Sequence, residues 1–261
     1  MIKSYIKIWW KLTLATTQIS LQSRFGTFIF LIGKIMRFSF FLFFLIVLVT
    51  KTKAIAGYSI WEIVLFYATF NLLDSLPQFF FRNVYRFREQ VLNGYFDNLL
   101  LKPLPSLFHP LFGGSDALDL IILFASIFFI FYAGLHIKNI SAINIFSYIL
   151  LVSNGFLISA GFHIFVLASG ILTTAVDNVV LVYRDITQMG RLPVEVYQEP
   201  LRGIITFVVP VGIMMTFPVK AMLGLLSWQT MSFSLFVGLT LLFVSIKFWN
   251  NSLKHYTSAS S

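Results

Sequence analysis

The sequence contains no cysteine. This excludes disulfides, cysteine-ligated zinc and iron–sulfur clusters. Charge is also scarce. Only 11% of the 261 residues are Asp, Glu, Lys or Arg, against about 25% in a soluble domain. So few charges cannot cover a water-facing surface, and lipid must solvate much of the exterior. Negative charge is the scarcer sign, with 10 Asp and Glu against 19 Lys and Arg, giving a formal net charge of +9. The basic residues do not form a stripe with interleaved exposed aromatics, so the sequence does not read as a nucleic-acid binder. They sit at the ends of apolar runs, as expected for cytoplasmic loops under the positive-inside rule.

Catalytic patterns are missing as well. There is no G-x-x-x-x-G-K-[ST] phosphate loop, since Gly33-Lys34 is followed by Ile35. No serine lies in a G-x-S-x-G setting. His109 and His163 have no carboxylate or His partners at metal-ligand spacing.

What the chain does have is apolar runs near 20 residues long, in a composition that is 58% hydrophobic with 31 Phe. The fold expected is all-α and membrane-embedded, a single domain over 1–261 with six spans. Residues 1–25 carry Trp9 and Trp10 among Lys3, Lys7 and Lys11, which suits a helix lying in the interface rather than a removable signal. Spans are expected near 27–49, 58–81, 117–133, 142–166 and 221–246. Pro77 is expected to kink the second span. Residues 247–261 form a polar tail.

Two arrangements fit 167–219. In one, 168–189 crosses and 194–217 dips back into the outer leaflet, where a proline-broken segment is tolerated inside protein. In the other, 172–200 stays cytoplasmic and 202–218 crosses. Either way both termini face the cytoplasm.

Residues 82–114 form the longest polar stretch of the first half. Arg82, Arg86, Arg88 and Lys102 place it on the cytoplasmic side. Val84–Leu92 reads as a helix that Gly94 terminates in a left-handed conformation, and Tyr95–Leu101 reads as a second short helix stopped by Pro103. The segment offers charge and apolar anchors together, through Arg86, Arg88, Glu89, Tyr95, Phe96 and Asp97. That combination suits docking to a soluble partner, or an amphipathic loop held on anionic lipid. Within the spans, Arg37 and Asp74 fall at similar depth on antiparallel neighbours and form an ion-pair candidate. Asp177, Arg184 and Asp185 either line a path through the membrane or face the cytosol.

Four features together resemble the type-2 class of ABC transporter permeases, in its small six-helix subgroup. They are the amphipathic N-terminal segment, NGYFDNLLLKPL (Asn93–Leu104), the stretch Met189–Pro218 and the basic-aromatic tail LKHYTSAS. The resemblance covers nearly the whole chain. It implies a passive permease subunit of an exporter in the plasma membrane, working by alternating access. The implied partners are a separate nucleotide-binding ATPase, which carries ATP and Mg, and a second permease subunit, identical or related. This chain itself would carry no cofactor and no catalytic residue. A stand-alone secondary transporter would instead need midplane ionisable residues and inverted repeats. A membrane-embedded lipid enzyme would need a catalytic cluster at one interface.

Overall fold

The computed structural model describes residues 2–173 and 176–257, with the side chains of Ile2, Val176 and Asp177 outside that description. Helices account for nearly all of it. Helix α1 (Ile2–Gln22) leads through Ser23 into α2 (Arg24–Thr52), and α3 (Ile60–Phe80) returns. Three short helices follow: α4 (Phe87–Leu92), α5 (Tyr95–Leu100) and α6 (Phe108–Phe112). Then come α7 (Leu120–His136), α8 (Ala142–Thr173) and α9 (Val176–Thr187). A bent pair, α10 (Leu201–Val208) and α11 (Gly212–Met222), precedes α12 (Trp228–Ser252).

Five helices are long and apolar enough to cross a membrane, and up to six if the bent pair counts as one span. Their burial differs by role. The second span is 78% buried in the protein, whereas the first, third and last are 22% buried. Those three present Phe, Ile and Leu outward, including Phe40, Phe43, Phe131 and Phe236, because lipid tails solvate them as well as a core would. Helix α3 runs on through Pro77, and the amide of Phe81 caps it by donating to the Pro77 carbonyl (2.7 Å). Its start carries a capping box between Ser59 and Glu62.

Helices α8 and α12 pack closely. The Gly238 Cα lies against Asn154, whose Nδ2 donates to the Ser234 carbonyl (2.8 Å). Small residues permit this approach, and the buried amide is satisfied across the interface. The last span begins later than the sequence suggests. Residues 221–222 finish α11, Gly224 turns the chain at φ +71°, and Ser227 caps α12 by accepting from the Thr230 amide.

Helix α1, the end of α12 and the polar segment share one end of the bundle. Trp9 donates from Nε1 to Ser115 Oγ (2.9 Å) and stacks on Phe80. Tyr256 reaches Asp97 from the other terminus. At the opposite end lie the turns 53–59 and 137–141 and residues 223–227, where Gly224 meets Asn144.

Within 167–219 the chain forms a bent pair, as either a broken span or a re-entrant segment would. Its limbs meet at 77° around Pro210, and both include π-helical turns, Ile204–Val208 and Gly212–Thr216. Lys220 Nζ donates to Glu195 Oε1 (2.8 Å), the Val194 amide donates to Thr216 Oγ1 (3.3 Å), and Gly190 faces Val211 and Met215. Residues 190–195 therefore climb beside 211–220 toward the end that carries Gly224. Arg184 stays near Gln78 and Arg82 at the other end. Residues 184–195 thus run along the bundle, later in the chain than the 168–189 crossing of the first arrangement, because α8 continues to Thr173.

Candidate functional site

Two places combine polar chemistry with exposure. The first is the segment between α3 and α7. A 3-10 turn over Arg82–Arg86 leads into α4, and Gly94 closes α4 at φ +70°, a backbone conformation that favours glycine. Helix α5 then starts with Asp97 in its first turn. The segment is anchored from beneath by Phe81, Val84, Phe87, Phe96 and Trp249, all 0–1% exposed. Asn83 Nδ2 donates to the His109 carbonyl (2.8 Å). Burial and the nearby Lys102 lower the His109 pKa below its ordinary value. Helices α4 to α6 thus form a rigid cap on one end of the bundle.

Of the docking candidates, Arg86, Arg88, Glu89 and Tyr95 are exposed. Phe96 is a correction: it is 0% exposed. Its ring is enclosed by Phe87 (5.1 Å), Trp249 (6.1 Å) and Tyr256 (5.1 Å), so it anchors the segment instead of meeting a partner. Asp97 is half-buried and accepts from Tyr256 Oη (2.9 Å). The most exposed apolar side chain here is Leu101, at 85%.

The second place is a cavity of about 560 Å³ between α2, α3 and α9, lined by Lys34, Arg37, Arg82, Arg184 and Arg191 together with Asp74, Gln78 and Gln188. Arg37 Nη2 lies 4.0 Å from Asp74 Oδ2. Arg37 is largely exposed and Asp74 is nearly buried, with Gln78 Nε2 also donating to Asp74 Oδ2 (2.9 Å). Lys34 pairs with Asp119, and Arg82 Nε lies 3.7 Å from Asp116 Oδ2. Asp74 stands about 21 Å along α3 from Ile60, at 1.5 Å per residue. The cavity therefore opens in the half of the bundle nearest the α4–α6 cap.

Arg184 lines this cavity, while the exposed Asp185 is not among the residues that line it. The Asp177 side chain lies outside the described residues. The cavity holds two groups that pairing arguments from sequence did not single out. Arg191 lies over the Phe41 ring (5.1 Å) and the Phe70 ring (5.7 Å), deep in the bundle, and Lys34 faces Asp119. Both pairings depend on contacts between segments far apart in sequence, and only Lys34 carried a sequence signal, a charge inside an apolar stretch. Among the described residues no cluster of three or more His, Asp or Glu comes together that could hold a metal.

Fold and site together define a multi-pass helical membrane protein with a rigid polar cap and a charged cavity inside its spans. Residues 35–260 match the family described as ABC-2 family transporter protein, and the chain belongs to that family. It is an ABC transporter membrane component, of a class typically non-catalytic and generally paired with an ATPase subunit. No curated protein and no solved structure matches it.

Proposed function

We propose that this chain is the passive, membrane-spanning half of an ATP-driven exporter in the plasma membrane. Two such subunits, identical or related, enclose a path that opens alternately to each side. A separate ATPase carries ATP and Mg and supplies the work. The α4–α6 cap and both termini face the cytoplasm, where Arg86, Arg88, Glu89 and Tyr95 receive the ATPase, and the cap passes its motion to α3 and α12.

The observation that carries this reading is mechanical. An exposed charged and apolar face, Arg86 to Leu101, sits on helices fixed by Phe87 and Phe96 to Trp249 of α12. A push on that face cannot be absorbed locally, because close-packed aromatics transmit displacement. The experiment is co-purification of this chain from its own cells with a soluble phosphate-loop ATPase. Leu101→Asp should weaken the complex at least tenfold with unchanged thermal unfolding, because it places a charge in a desolvated contact. Tight association of Leu101→Asp, or uphill transport by the chain alone in liposomes, would sink the proposal.

A further inference from the structure

The cavity between α2, α3 and α9 has a charge imbalance that its own ion pairs do not remove. Lys34 faces Asp119, Arg82 faces Asp116 and Arg37 faces Asp74. Arg184 and Arg191 also line it, and neither has an ion-pair partner among the described residues. Gln188 lines the same space, and its Oε1 is buried without a hydrogen-bond donor. Arg184 is exposed at the mouth and Arg191 partly buried further in, and an unneutralised guanidinium at membrane depth is costly unless something pairs with it. The cavity volume, about 560 Å³, falls in the range of small-molecule sites.

We propose that this cavity binds the phosphate-ester headgroup of an anionic amphiphile. Two arginines can each offer a planar fork to phosphate oxygens. Their combined surplus charge suits a phosphomonoester, which carries about −1.5 to −2 at neutral pH. A hydroxyl next to the phosphate would donate to Gln188 Oε1. Phe30 forms part of the lining, and it continues into the lipid-exposed stripe of Phe28, Ile29 and Ile32 on α2. That stripe gives an acyl chain a route out to the bilayer while the headgroup stays inside. As the cargo site, the cavity rests on the permease reading above. As a binding site it does not, so binding alone decides it.

The test is titration calorimetry on the full-length chain in uncharged detergent, with dioctanoyl phosphatidic acid, dioctanoylglycerol and inorganic phosphate as probes. The phosphatidic acid should bind at least tenfold more tightly than the glycerol lipid. R184Q/R191Q should lose at least tenfold in affinity with unchanged thermal unfolding, and R184K/R191K should fall between, keeping charge but not the fork. D74N removes a competing carboxylate and should bind as tightly as the native chain or more so, which a merely damaged fold would not do. Equal binding of dioctanoylglycerol, undiminished binding by R184Q/R191Q, or weaker binding by D74N would overturn the site. Inorganic phosphate competing as well as the lipid would overturn the amphiphile and assign the site to a soluble phosphate ester.

Discussion

Tyr256 Oη donates a 2.9 Å hydrogen bond to Asp97 Oδ1, tying the end of the last helix to the cap between the second and third spans. Its ring also packs edge-on to Phe96 at 5.1 Å. Burial and then the Asp97 carboxylate push the Tyr256 phenol up to about 12. The folded state therefore favours the neutral phenol. Its contribution is complete below the unfolded value near ~10 and is lost as pH rises through the folded value. Tyr256→Phe should lower stability by about 1 kcal/mol. Thermal unfolding in detergent should show a constant difference between pH 7 and 9 that narrows above ~10; identical melting curves at pH 7 would contradict it.

Lys34 and Asp119 behave differently from Arg37 and Asp74, because both of the former are mostly buried, with side chains 15% and 3% exposed. Removing one partner leaves the other charged in a low-dielectric site. Asp119→Ala should cost about 3–5 kcal/mol, and the pair replacement Lys34→Met with Asp119→Leu should recover most of it. A double-mutant cycle on unfolding checks this, and additive losses would refute the pairing.

The direction of residues 184–195 is testable because the chain has no native cysteine. Glu199 is 57% exposed in its side chain, pairs with Arg202 three residues on, and accepts from the Gly203 amide (3.0 Å). Such an exposed pair contributes about 0–1 kcal/mol, so Glu199→Cys should fold normally. A membrane-impermeant maleimide should label it in intact cells. Labelling only after permeabilisation would place 172–200 on the cytoplasmic side and refute the dipping segment.

Gly238 lies on α12 where it meets α8. A methyl group there would strike the Asn154 side chain and displace its hydrogen bond to Ser234. Gly238→Ala should therefore destabilise the protein by about 1–3 kcal/mol, as overpacking does, despite alanine's better helix propensity. An unchanged melting temperature would show that the two helices separate more easily than their packing implies.

Much of the fold was legible because lipid imposes a length on every crossing. Long apolar runs marked the spans from the first to the last, and Gly94 marked the end of α4 through its lack of a Cβ. Reading stopped where helices are discontinuous. Residues 201–222 are apolar enough for a span, and no local pattern in them announces the 77° bend. The same limit applied to the site. Phe96 read as a partner-facing anchor because it lies in a segment that mixes charged and apolar residues, but the fold places it against Trp249.

The sequence alone determined that this is a helical membrane protein, how its long spans alternate, and which polar segment caps one end, because hydropathy and local backbone preference act within a single stretch of chain. Only the tertiary structure decided which charges meet. Arg191 reaches Phe70, Lys34 reaches Asp119 and Tyr256 reaches Asp97. These contacts depend on how separate helices pack, and no local pattern encodes a distance between segments that the chain itself leaves free.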